Sequence, residues 1–155
     1  MKKTNFNRIL VILCSVFFSS LLYACNLEKN NNSTEVDLQK YDFEVDLGES
    51  KQFSKEEIDS AISLIEKKIK DFGGCQVIKI WYDEGKSDSL FDEYEHTETL
   101  SEAKKENVIF CFSNFKVDPS GVNPVLNAGE TYEDFKWIIT REDKTKEWNI
   151  VDFGY

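Results

Sequence analysis

Ser54-Lys55-Glu56-Glu57-Ile58-Asp59-Ser60-Ala61-Ile62-Ser63-Leu64-Ile65-Glu66-Lys67-Lys68-Ile69-Lys70-Asp71-Phe72 is the stretch on which the fold turns. Its apolar residues Ile58, Ile62, Ile65, Ile69 and Phe72 step by four, three, four and three. That spacing puts them in one stripe along a helix, and Ala61 and Leu64 widen it. Ser54 and Glu57 have the separation of a capping box, and Phe53 with Ile58 that of a hydrophobic staple. Lys67, Lys68 and Lys70 suit the negative end of the helix dipole, and Gly73-Gly74 stops the helix. A helix with one apolar face needs something to bury it, so the rest of the chain must supply a core.

Outward from this helix the pattern changes to strands. Cys75–Tyr82 is predicted as a strand, and Asp83-Glu84-Gly85 as the start of a turn. Residues 88–107 are acidic and irregular, with Ser89 and Asp92 able to cap a short helix carrying Leu90, Phe91 and Tyr94. Asn107–Val117 is a long strand with apolar residues on both faces, so both faces are expected to be covered for part of its length. Asp118-Pro119-Ser120-Gly121 is a turn, and 122–131 a loop with Pro124 and Gly129. Tyr132–Arg141 and Glu147–Phe153 are strands joined by a hairpin turn at 142–146. Before the helix, Tyr41, Phe43, Val45 and Leu47 alternate with acidic residues up to Gly48, the period of a half-buried strand. The expected class is α+β: one long amphipathic helix on a curved antiparallel sheet of about four to five strands, within a single domain over 41–155. The order of elements is similar to cystatin-like and nuclear-transport-factor-2-like arrangements, a topological analogy alone.

The N-terminus has a different character. Lys2, Lys3 and Arg8 precede a run from Ile9 to Leu22 that is apolar apart from Cys14 and three serines, and Ala24 then precedes Cys25. The tripartite layout is that of a secretory signal. The run is shorter than the about 20 residues a spanning helix needs. Leu22-Tyr23-Ala24-Cys25 resembles the lipobox of bacterial lipoproteins. That resemblance implies cleavage after residue 24, acylation of Cys25 with two or three chains, and a cell-membrane location facing the extracytoplasmic side. More than one chain is what lasting attachment requires. Residues 26–35 are polar and Asn-rich, and 25–40 as a whole are expected to form a flexible tether.

The whole chain carries 29 acidic and 19 basic residues, a net charge of −10. Without residues 1–24, which hold three of the basic residues and none of the acidic ones, the charge is −13. That charge argues against nucleic acid as a partner and against electrostatic attachment to anionic headgroups.

Residues 53–155 resemble an uncharacterised family of small lipoproteins from Gram-positive bacteria. The residues that carry the resemblance begin with Trp81-Tyr82-Asp83-Glu84, Glu106-Asn107-Val108-Ile109, Phe115, Val117-Asp118 and Ser120-Gly121. They continue with Thr131-Tyr132, Trp137, Arg141, Trp148 and Asp152-Phe153-Gly154-Tyr155. It is a scattered pattern over most of the mature chain. It implies a single-domain lipoprotein and brings no activity, cofactor or catalytic residue.

No stretch carries a catalytic signature. Gly85-Lys86-Ser87 ends like a phosphate-binding loop, but the glycine required five residues before Gly85 is Ile80, and Gly85 is expected to open a loop. His96, the one histidine, stands among Asp92, Glu93, Glu95 and Glu98 without the spacing of a zinc or calcium site. No catalytic, cofactor or metal residue is therefore assigned. The remaining hint is aromatic: Trp81, Tyr82, Phe115, Phe135, Trp137, Trp148 and Phe153 fall on predicted strands. Trp81, Trp137 and Trp148 are candidates to face a glycan or peptide ligand, against the alternative that all of them fill the core. The expected function is a membrane-anchored, non-enzymatic binding module with an unidentified protein or glycan ligand. The alternative is a small enzyme using a carboxylate with Tyr or His96 in a cone-shaped pocket.

Cys75 and Cys111 are the thiols left in the mature chain and are expected to stay reduced. With Tyr82 opposite Asn107, Asn114 falls opposite Cys75 and Ile78 opposite Cys111. That offset of three residues is about 10 Å, beyond the about 7 Å between Cα atoms that a disulfide tolerates.

Overall fold

The computed structural model describes residues 36–155. The signal pattern, Cys25 and the Asn-rich stretch lie outside the described residues. Folded structure begins earlier than residue 41: Val36 packs against the core, and Leu38–Lys40 form a 310 turn whose N-cap Asp37 accepts the Gln39 N–H at 3.0 Å. The Tyr41 hydroxyl then bonds to Ser63 Oγ at 2.6 Å and Asp59 Oδ1 at 3.0 Å, which pins this entry segment to the main helix.

That helix, α1, spans Lys55–Asp71, and its ends are as the sequence predicts. Ser54 Oγ accepts the Glu57 N–H at 3.2 Å and Glu57 Oε2 accepts the Ser54 N–H at 2.8 Å. Gly73 and Gly74 both take positive φ beyond Phe72. Ile58, Ala61, Ile62, Ile65 and Ile69 are wholly buried.

The sheet has five strands in chain order: β1 (Glu44–Asp46), β2 (Cys75–Tyr82), β3 (Val108–Val117), β4 (Thr131–Thr140) and β5 (Asn149–Gly154). β1 runs parallel to β2, and the other pairs are antiparallel. The expected wholly antiparallel sheet is thus corrected to a mixed one. A parallel pair needs a long crossover, and α1 is that crossover. β1 is also shorter than the Tyr41–Leu47 alternation suggests.

The expectation of a single helix is corrected too. Glu84–Tyr94 form a second helix, α2, where the sequence suggests a turn and then an acidic irregular stretch. Asp83, not Ser89, is its N-cap, accepting the Lys86 N–H at 2.9 Å, and Gly85 lies in its first turn rather than opening a loop. α2 and the following bends cover the second face of the sheet, where Phe91 and Leu100 pack on Val108, Phe110 and Ile138. β3 ends up between the two layers, with all but two of its residues buried, as its two apolar faces require. The architecture is α+β with a helix on each face, unlike the one-sided single-helix order of the cystatin-like analogy.

Bulges set the register. Ile78 is the extra residue of β2 against β3, so Cys75 lies opposite Val117 and Cys111 opposite Tyr82. The expected partners, Asn114 and Ile78, are wrong. The two cysteines are farther apart than that register implied, and both are unpaired thiols.

Candidate functional site

Register sorts the three tryptophans. Trp137 points toward α1, has no exposed surface, and donates its indole N–H to Ser113 Oγ at 2.8 Å. Trp148 is 8% exposed, edge-on to Phe53 with centroids 5.8 Å apart and under the Arg141 guanidinium at 4.2 Å. Both are core residues, which corrects their assignment as ligand-facing. The physical reason is volume: α1 presents small and aliphatic side chains, and the aromatic rings of β2, β3 and β4 fill the space between helix and sheet.

Trp81 points to the other face. Across the sheet Asp46, Trp81, Phe112, Lys136 and Gly154 stand side by side, one from each strand. The neighbouring row holds Glu44, Lys79 and Asn114. α2 and the bends after it pack on Phe110 and Ile138; in the row beyond, Phe112 is buried and Trp81 half-buried. Trp81 stacks on Phe112 with centroids 5.7 Å apart and planes 27° from parallel. Lys86, projecting from the first turn of α2, places its ammonium 5.1 Å from the Phe112 ring and 5.9 Å from that of Trp81. Lys79 lies 5.6 Å from Trp81 on the other side.

The charges around this pair are balanced by exposed carboxylates. Lys79 meets Glu44 at 2.6 Å and Lys86 meets Asp134 at 3.4 Å. The hydrogen bond from Lys79 to Glu44 raises the lysine pKa above its ordinary value. Surface pairs of this kind contribute little, so both ammonium groups can leave their partners for a ligand. Lys136 donates to the Tyr94 hydroxyl at 2.5 Å, and Asn114 Oδ1 accepts the Asp134 N–H where β4 bulges at positive φ. The accessible part is the half-buried Trp81 ring, backed by the buried Phe112 and bordered by N–H donors. It suits a ligand with flat or ring-shaped faces and hydroxyl or anionic oxygens.

The other sequence candidates do not converge on it. His96 is exposed, with Glu95 Oε1 at 3.6 Å, and no group of three or more His, Cys, Asp or Glu able to hold a metal occurs among the described residues. Ser87, in the phosphate-loop echo, is buried and its hydroxyl accepts the Phe110 N–H at 3.1 Å. It completes the ladder where β2 has ended. Burial raises the pKa of Tyr82 to about 12 and pushes the Cys111 thiol up strongly; burial also raises Cys75. Neither thiol is thereby activated as a nucleophile. Sequence reasoning missed Phe112, Lys79 and Lys86 as companions of Trp81, because only pairing across strands brings them together. No family model matches this sequence, and no curated protein or solved structure matches it.

Proposed function

We propose that this chain is a lipid-anchored extracytoplasmic protein, of the small Gram-positive lipoprotein kind its sequence resembles. In this proposal its domain binds a glycan on the Trp81 face. Lys2, Lys3 and Arg8, the apolar run and Ala24-Cys25 support the anchoring. The observation that carries the binding half is the half-buried Trp81 ring on the second face of the sheet, stacked on the buried Phe112 and flanked by two ammonium groups. A sugar ring lays its C–H face on the indole while Lys79 and Lys86 donate to its oxygens. The role is binding rather than turnover, since the two groups whose pKa burial raises most, Tyr82 and Cys111, lie in the core and not on this face.

The test has two arms. Metabolic labelling with a fatty-acid analogue is expected to mark the wild type and not Cys25→Ala; label on the variant refutes the anchor. Co-sedimentation with isolated envelope glycan is expected to fall about tenfold in Trp81→Ala, the loss of one stacked ring. Equal binding by wild type and variant, or turnover of the glycan, refutes the binding role.

A further inference from the structure

Among the described residues, most large apolar side chains that remain exposed gather at one end of the molecule. Val122 is 68% exposed, Val125 85%, Phe153 41% and Tyr155 76%. Phe153 stands as a ridge between two hollows. One, of about 390 Å³, is floored by Phe72 and walled by Pro124, Val125 and Leu126. The other, of about 300 Å³, runs between Leu64, Lys67 and Lys68 of α1 and Ile150 and Val151 of β5.

The wall of the first hollow is built in place. Asn123 is 7% exposed, and its amide donates to the Phe72 carbonyl at 2.6 Å, closing the C-terminal end of α1. Its Oδ1 accepts the Val125 and Leu126 N–H groups, each at 2.8 Å. A long connection without regular structure, held this way, is more often functional than idle. The edge of β5 itself is blunted: Val151 sits in a bulge, and the Phe153 N–H is bonded to Asp152 Oδ1 at 2.8 Å. Strand addition is therefore disfavoured, and an occupant must use the hollows.

We propose that this groove docks an extended segment of a partner protein, with two apolar side chains straddling Phe153 and carboxylates beside them. Charge complementarity specifies the carboxylates. Lys67 and Lys68 form no ion pair among the described residues, and the Lys68 ammonium stands 5.7 Å from the rings of both Phe72 and Phe153. Asp71, on the rim, is the one carboxylate lining either hollow. A second copy of this acidic chain, or an anionic bilayer, would meet the net charge of −10 or more. A short peptide feels only charges within about 8 Å, where the two lysines dominate.

The full chain, purified in detergent, is used as bait for a random-peptide display library. Enriched peptides are expected to carry an apolar pair flanked by Asp or Glu. Val125→Glu, a change at an exposed position, is expected to weaken them about tenfold or more. Lys67→Glu combined with Lys68→Glu is expected to switch the flanks to Lys or Arg. Several outcomes overturn the proposal: no enrichment over empty micelles, no preference for acidic flanks, or equal binding to Val125→Glu. Concentration-dependent dimers, or binding to anionic vesicles, that Val125→Glu abolishes would assign the groove to a second copy or to the bilayer instead.

Discussion

Arg141 shows how one side chain can hold three elements. It is 7% exposed, its Nη1 lies 2.6 Å from Glu57 Oε1, its Nη2 donates to the Glu106 carbonyl at 3.2 Å, and its guanidinium covers Trp148. The first turn of α1, the approach to β3 and the β4–β5 hairpin all meet there. Arg141→Met removes the ion pair to the partly exposed Glu57 and the hydrogen bond to the Glu106 carbonyl, and is expected to lower stability in denaturant unfolding by about 1–3 kcal/mol. Burial pushes the Glu57 carboxyl up, but the Ser54 N–H and Arg141 outweigh it and hold the pKa below the ordinary carboxylate value. A lowered carboxylate pKa stabilises above the unfolded-state value and loses that contribution as pH falls through the folded one. Thermal melts from pH 7 down to pH 3 are therefore expected to separate the wild type from Glu57→Gln most at neutral pH, and to bring them together in acid. At the same scale, Cys75 is half-buried and Cys111 fully buried. Iodoacetamide is expected to label Cys75 in the native protein and Cys111 only after denaturation, with intact mass showing both reduced. A loss of two hydrogens would show the strand register to be wrong.

At the scale of elements, α1 is the least replaceable piece. Ile65 lies mid-stripe with no exposed surface, and Ile65→Ala is expected to cost about 2–5 kcal/mol. A melting temperature left unchanged would mean that the stripe faces outward. The crossover into α1 depends on Gly48, at φ +57, where a Cβ would come within 2.5 Å of the Tyr82 carbonyl oxygen. That oxygen belongs to backbone and cannot step aside. Gly48→Ala is expected to destabilise by more than the about 1–2 kcal/mol of the left-handed conformation alone, read as a lowered melting temperature.

For the whole molecule, the two proposed surfaces lie apart, one around Trp81 on the second face of the sheet and one at the end of α1. Their variants should therefore separate. Trp81→Ala is expected to lower glycan co-sedimentation while leaving library-derived peptides bound, and Val125→Glu to do the reverse. Val125 is exposed, so Val125→Glu is expected to leave the melting temperature unchanged, whereas Trp81→Ala uncovers Phe112 and is expected to lower it while the protein stays folded. Loss of both activities in either variant would point to a single shared site.

What the sequence determined by itself was local. α1, its capping box and its glycine stop follow from contacts within four residues, which a linear pattern records. The two-faced strand β3 is legible because apolar residues at every position have no other use. Only the tertiary structure decided the rest, because the deciding contacts are distant along the chain. The parallel direction of β1 depends on where the crossover lands it. α2 is weakly patterned, begins with a glycine in its first turn, and owes its place to Phe91 packing across to Phe110 and Ile138. One-residue bulges at Ile78 and Asp134 leave no period-two signature, yet each shifts which residues stand opposite. Those shifts put Cys111 beside Tyr82, sent Trp137 into the core, and left Trp81 half-buried on the opposite face, stacked on the buried Phe112.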